Sequence, residues 1–135
     1  MRIVIDTNVF ISSFFGGYPK QIIDCWKTGK VTLCLSNSIL DEYLDVLDRM
    51  GFAEEKETKE LLELFRGQTN SLFTATLPTL AVSSDPDDNK FIETAVALKA
   101  KCIVSGDKHL LVIKKYVGIL IVNPRYFVET IAPVL

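Results

Sequence analysis

The chain has 135 residues, of which 15 are Lys or Arg, 17 are Asp or Glu and one is His, giving a formal charge of −2. At 48% hydrophobic and 24% charged, the composition excludes wholesale disorder, which needs low hydrophobicity and strong net charge. The length suits one domain over residues 1–135, able to bury roughly 65–70% of its unfolded surface without disulfides or structural metal. The near-balance of charge excludes a global basic field, so any contact with nucleic acid would run through a local patch or bound cations.

In chain order, Arg2–Ile5 reads as a first strand that stops abruptly at Asp6. Asn8 is placed to cap a short helix through Phe15, closed by Gly16-Gly17, and Pro19 to open a second helix through about Lys27. Val31–Leu35 is the next strand. Ser36 or Ser38 then caps a helix carrying Ile39, Leu40, Tyr43, Leu44 and Leu47 and ending at Gly51. Ala53–Phe65 predicts an amphipathic helix whose charge run Glu54–Glu63 is a solvated face. Leu72–Leu77 reads as a strand, and Pro78–Ser84 as a loop with a second β-like patch. A helix from Pro86 to about Ala100, a strand Cys102–Ser105, a short helix Asp107–Ile113, a strand Ile119–Val122 and a closing helix from Pro124 complete the chain. This alternation predicts βαβ units, a parallel sheet and helices on both faces. In such a fold the ligand crevice lies beyond the carboxyl ends of the strands.

No run approaches the roughly 20 apolar residues of a membrane span. Asp6 interrupts the first apolar run too early for a signal peptide, whose apolar core is about 7–15 residues. Cys25, Cys34 and Cys102 are widely spaced, odd in number and set in apolar stretches. They read as buried free thiols of a cytoplasmic protein.

Two aspartates fall where an α/β sheet places its chemistry: Asp6 directly after the first strand, and Asp107 two residues after Ser105. An aspartate ending a run of Ile-Val-Ile is a poor choice for packing alone. Glu42 lies early in the third helix among apolar neighbours, with Asp41 and Asp45 beside it as plain dipole complements. Asp85-Pro86-Asp87-Asp88-Asn89 looks like a helix cap, but one acid suffices for capping and three are present. Asp88, followed by Asn89, Lys90 and apolar Phe91-Ile92, is the member placed nearest the crevice, although the choice among Asp85, Asp87 and Asp88 stays open.

Carboxylates from four separated segments would repel if they met, by about 4 kcal/mol per pair at 4 Å and an effective dielectric of 20. A hard divalent cation with oxygen ligands, Mg²⁺ or Mn²⁺, supplies the missing charge. Zinc is not expected, because there is no cluster of Cys or His. His109, the single histidine, is read as a crevice-rim residue, and no Gly-rich phosphate loop is present. Lys108, Lys114, Lys115 and Arg125 fit either phosphate contacts or a scattered solvated face.

The segments Val4-Ile5-Asp6-Thr7-Asn8-Val9, Asp41-Glu42, Asp87-Asp88-Asn89-Lys90-Phe91-Ile92-Glu93-Thr94-Ala95 and Val104-Ser105-Gly106-Asp107-Lys108 occur in an order and spacing that resembles the PIN domain family, above all its prokaryotic toxin group. The resemblance covers essentially the whole chain. It implies a three-layer α/β/α sandwich with a mostly parallel sheet and a Mg²⁺- or Mn²⁺-dependent endoribonuclease. By position, the family's acids fall on Asp6, Glu42, Asp88 and Asp107. Asp6, Asp88 and Asp107 would hold one or two cations, with Glu42 completing the shell or positioning the water. Asn8 and Ser105 would support the acids or contact substrate, and Ser105 stands where threonine is common in the family. The resemblance also implies a homodimer and a small antitoxin partner, with RNA as substrate; the lack of a long apolar run already argues against a membrane partner. The closing helix, with Phe127, Ile131 and Val134, is a candidate self-association surface.

Two rival readings remain at this level. An aspartyl-phosphate mechanism with Asp6 as nucleophile would resemble the haloacid dehalogenases, but their second aspartate is replaced here by Asn8. A non-catalytic binding or scaffold module of the same fold, its acids vestigial, is the alternative from a different class.

Overall fold

Short runs of branched residues form the centre of the molecule. A computed structural model describes residues 1–135. Its strands are β1 (Arg2–Ile5), β2 (Thr32–Ser36), β3 (Ser71–Thr74), β4 (Cys102–Val104), β5 (Lys115–Tyr116) and β6 (Ile119–Val122). They make one sheet in the order β3-β2-β1-β4-β6-β5, parallel throughout except for the antiparallel β5–β6 hairpin. Ile3, Val4 and Ile5 are all buried. Consecutive rather than alternate burial is what a strand covered on both faces requires.

The helices are α1 (Thr7–Ser12), α2 (Gly17–Lys27), α3 (Asn37–Arg49), α4 (Lys56–Arg66), α5 (Asn89–Ala97), α6 (Lys108–Leu111) and α7 (Pro124–Tyr126). The chain runs from β1 through β2 to β3 in one direction and from β4 to β6 in the other, and helices cover the sheet whose central strands are buried on both faces. The result is a three-layer α/β/α sandwich. Aromatic rings join α1 through α4: Phe10 stacks on Tyr43 at 4.1 Å between centroids, and Trp26 on Phe65 at 5.4 Å. The fully buried Trp26 ring keeps its indole N–H satisfied by the Thr69 carbonyl at 3.1 Å.

β1 and β4 are neighbours, yet the chain leaves them towards opposite edges of the sheet. Their carboxyl ends therefore border the switch point at which open α/β sheets bind ligands.

Several elements differ from the sequence-based expectation. The side chain of Asp6, not Asn8, caps α1, accepting from the Val9 N–H at 2.8 Å. A 3-10 turn over Ser13–Phe15 follows, and α2 begins at Gly17 rather than at Pro19. Ser36, not Ser38, caps α3. The charged helix starts only at Lys56. β3 is confined to Ser71–Thr74, and residues 78–84 form no strand. Side chains of α5 take the amide groups of that loop instead: Asn89 Oδ1 accepts from Val82 and Ser83, and Glu93 from Leu80. Pro86–Asp88 is a 3-10 turn ahead of α5. The closing segment tightens and loosens within a few residues, with a π-turn over Phe127–Ile131 and a 3-10 turn over Ala132–Val134. Phe127 and Ile131 point into the core, so they offer no self-association surface; Val134 is exposed. Cys34 and Cys102 are buried and Cys25 half-buried, all as free thiols; burial pushes Cys34 up to about 11 and Cys102 up to about 12.

The β5–β6 hairpin pairs Tyr116 with Ile119 across a two-residue loop, Val117-Gly118. Both loop residues have positive φ, +42° and +84°, the pattern of a type I′ turn that favours Asn-Gly. A β-branched residue is strained there, and Val117, at 74% exposure, gains little from packing. Val117→Asn is expected to stabilise the protein by about 1 kcal/mol, read as a melting temperature a few degrees higher. A lower melting temperature would show that the valine makes compensating contacts.

Candidate active site

Asp6 leaves the end of β1 with its backbone N–H bonded to the Val104 carbonyl at 3.0 Å. Its side chain is 3% exposed. One carboxylate oxygen, Oδ1, caps α1. The other, Oδ2, accepts from the Ser105 hydroxyl and from the Gly106 N–H at 3.3 Å. Burial raises the Asp6 carboxyl above the usual carboxylate range, partly countered by these hydrogen bonds, and the nearby Asp107 charge adds to the rise.

Ser105, fully buried, links the two aspartates: its hydroxyl donates to Asp6, and its Oγ accepts from the Asp107 N–H at 2.9 Å. Asp107 in turn caps α6, accepting from the His109 N–H at 2.7 Å. Ser105→Ala would leave the Asp107 N–H unpartnered and strip a hydrogen bond from a buried carboxylate. The expected loss is about 1–3 kcal/mol, measured by urea denaturation at neutral pH, with Ser105→Thr losing less because it keeps the hydroxyl. An unchanged midpoint in Ser105→Ala would show that the hydroxyl positions nothing.

The three acids around Pro86 are sorted by their surroundings. Asp85 caps the 3-10 turn, accepting from the Asp87 N–H at 3.0 Å, and Asp87 is exposed. Asp88 is 9% exposed, and its Oδ2 is buried without a hydrogen-bond partner. Burial first, then the Asp107, Asp85 and Asp6 charges, push the Asp88 carboxyl up to about 6.

Glu42 stands on α3 and reaches the same place. The adjacent Tyr43 phenol donates to the Ile5 carbonyl, which pins the first turns of α3 against the end of β1. Glu42 Oε1 accepts from Thr7 Oγ1, and its Oε2 lies 2.6 Å from Lys90 Nζ.

Asp6, Glu42, Asp88 and Asp107 line one cavity of about 690 Å³, together with Thr7, Asn8, Asp41, Asp45, Val46, Arg49 and Phe91. Asn8 is exposed at its mouth. His109 lies outside this lining, its Nδ1 3.0 Å from Ser84 Oγ. No three carboxylates close into an ion cage by themselves; they border an open pocket. The donor set is all oxygen, and the bare Asp88 Oδ2, with the Asp6 and Asp88 carboxyls that burial above all drives up, fits a hard divalent cation. Mg²⁺ in particular uses one or two protein carboxylates and keeps several waters.

Three participants had no role assigned from sequence: Thr7, Lys90 and Arg49, the last paired with Asp45 at 3.2 Å. Thr7 stands between Asp6 and Asn8, and Lys90 between Asn89 and Phe91; only the tertiary fold shows what either touches.

A parallel sandwich with an acid-lined crevice at its switch point defines the class of α/β proteins that act on ligands from the strand ends. A family profile described as "PIN domain" matches residues 2–109, and the chain belongs to that family. The uncharacterized protein MJ1680 of Methanocaldococcus jannaschii is 33% identical over 143 aligned positions, covering 96% of this chain and 90% of that protein. PIN domains are generally nucleases, typically use divalent metals and commonly occur in toxin–antitoxin systems. No helix is long and apolar enough to cross a membrane.

Proposed function

We propose that this PIN domain is a Mg²⁺- or Mn²⁺-dependent endoribonuclease that hydrolyses RNA phosphodiester bonds. We further propose that it works in the cytoplasm as the homodimeric toxin of a toxin–antitoxin pair, with residues 1–135 forming one nuclease domain. One observation carries the nuclease reading. Asp6, Asp88 and Asp107 line one pocket at the switch point and form no ion pair, and Asp88 keeps a buried, bare oxygen there. The toxin assignment rests on the company the family keeps.

A divalent ion held by those three carboxylates would activate water and offset the charge of the attacked phosphate, the chemistry of metal-assisted hydrolysis. Asp6 is held by the α1 cap and by Ser105, so its orientation does not depend on substrate. Glu42 orients the attacking water from the α3 side. Asn8, exposed at the mouth, contacts the RNA. A mildly acidic protein accepts a polyanion only when the charge of this pocket is offset.

The test is cleavage of a mixed set of labelled RNAs by the purified chain with Mn²⁺ or with EDTA, with Asp6→Asn alongside. Metal-dependent cutting that vanishes in the variant supports the reading. No cutting and no Mn²⁺-dependent rise in melting temperature would overturn it in favour of a non-catalytic binding module. For the toxin assignment, induced expression in a bacterial host should arrest growth with the wild type and not with Asp6→Asn.

A further inference from the structure

The acids of the pocket differ in their partners. Asp6, Asp88 and Asp107 take part in no ion pair, whereas both oxygens of Glu42 are occupied, one by the Thr7 hydroxyl and the other by the Lys90 ammonium at 2.6 Å. Lys90 is not a sweeping surface lysine. Its side chain is 16% exposed. Its Nζ also donates to the Asp87 carbonyl at 2.6 Å and sits 5.1 Å from the centre of the Phe91 ring. Those contacts fix a positive charge in the first turn of α5, beside the segment that carries Asp88. Glu42 and Lys90 form a neutral unit, while the bare oxygen of Asp88 remains on the side of Asp6 and Asp107. Asp41, exposed on the lining, is likewise in no ion pair; of the acids withdrawn from solvent, the three outside the Glu42–Lys90 pair leave a single negative charge against one divalent ion. A second ion seated on Glu42 would have to displace Lys90 from it.

Resting on the metal-dependent nuclease reading, we propose that the pocket takes one divalent cation, on Asp6, Asp88 and Asp107, and that the Lys90 ammonium occupies the place of a second. Lys90 is thus a positioning residue, acting through Glu42: it holds that carboxylate off the ion and aimed across the pocket. A long basic side chain at position 90 is the device by which this chain restricts its metal count.

The test counts Mn²⁺ on the full chain by titration calorimetry and by electron paramagnetic resonance. The wild type should bind one Mn²⁺ per chain. Lys90→Met should bind two, with the broadened signal of neighbouring Mn²⁺ ions, and Lys90→Arg should return to one. A wild type that binds two, or a Lys90→Met variant that still binds one, overturns the proposal while leaving metal-dependent cleavage standing. A wild type that binds none overturns both. If Lys90→Met does not fold, the double variant Glu42→Gln/Lys90→Met, which removes the pair as a neutral unit, decides the matter. It should bind one Mn²⁺ within about threefold of the wild-type affinity; a loss of more than tenfold would make Glu42 a ligand and the proposal wrong.

Discussion

Asp6→Asn is expected to lower RNA cleavage by at least about 10³-fold, equivalent to roughly 4 kcal/mol of transition-state stabilisation, while the chain stays folded. The amide has the shape of the carboxylate and keeps Oδ1 for the Val9 N–H, so α1 remains capped. On the other side the amide nitrogen faces the Gly106 N–H and the Ser105 hydroxyl, and Ser105 must turn to accept. That local loss is offset, because the charge removed is one that burial disfavours. The melting temperature should therefore stay within a few degrees of the wild type, with an unchanged circular dichroism spectrum. Asp6→Ala makes the contrast: it loses the cap as well, at about 1 kcal/mol. Full cleavage by folded Asp6→Asn in a nuclease-free preparation would remove Asp6 from the chemistry.

The second large effect concerns the metal-free protein. A carboxyl at about 6 in the folded chain against 3.8 ordinarily means that the folded state holds this proton more tightly than the unfolded state. Asp88 therefore contributes no penalty below about pH 4. The destabilisation builds as pH rises towards about 6 and is complete above it. Its size is on the order of 3 kcal/mol at most. Asp88→Asn should then melt higher than the wild type at pH 7.5 without metal, and the difference should shrink towards zero by pH 4. Mn²⁺ at pH 7.5 should raise the wild type and have little effect on the variant. A variant that melts lower than the wild type at pH 7.5 would show that Asp88 is a structural acid rather than one held under strain for a ligand.

How much of this was legible depends on the kind of signal. Asp6 stands out in the sequence because a charge ending Ile3-Val4-Ile5 has no packing purpose, and it lies at the switch point. Asp107 is visible by its distance from a strand end. Asp88 could be preferred to Asp85 and Asp87 only on its apolar followers; the fold gives the physical reason, since Asp85 is spent on a cap and Asp87 faces solvent. The capping of α1 was misread because Asn8 is as good a capping residue as Asp6, and local chemistry alone does not say where a strand lets go. β5 is only two residues long and is turned by Val117, a residue that hairpin turns avoid, so no local rule announces it. The Lys90–Glu42 contact joins α5 to α3, far apart in sequence, and no pattern within either helix carries it. For the closing segment the sequence predicts a helix from Pro124, and nothing in its composition announces the π-turn over Phe127–Ile131.

The hydrogen bond from Ser105 to Asp6 joins residues 99 positions apart. Between them lie β2, β3 and β4 and five of the seven helices, so the pocket has no partial form. During synthesis, while domains fold from the N-terminal side onward, a nascent chain carries Asp6, Glu42 and then Asp88 without the strand that brings Asp107 beside them. Closing so long a loop requires nearly the whole domain in hand. On the ribosome the pocket therefore stays incomplete until β4 and the residues after it have emerged.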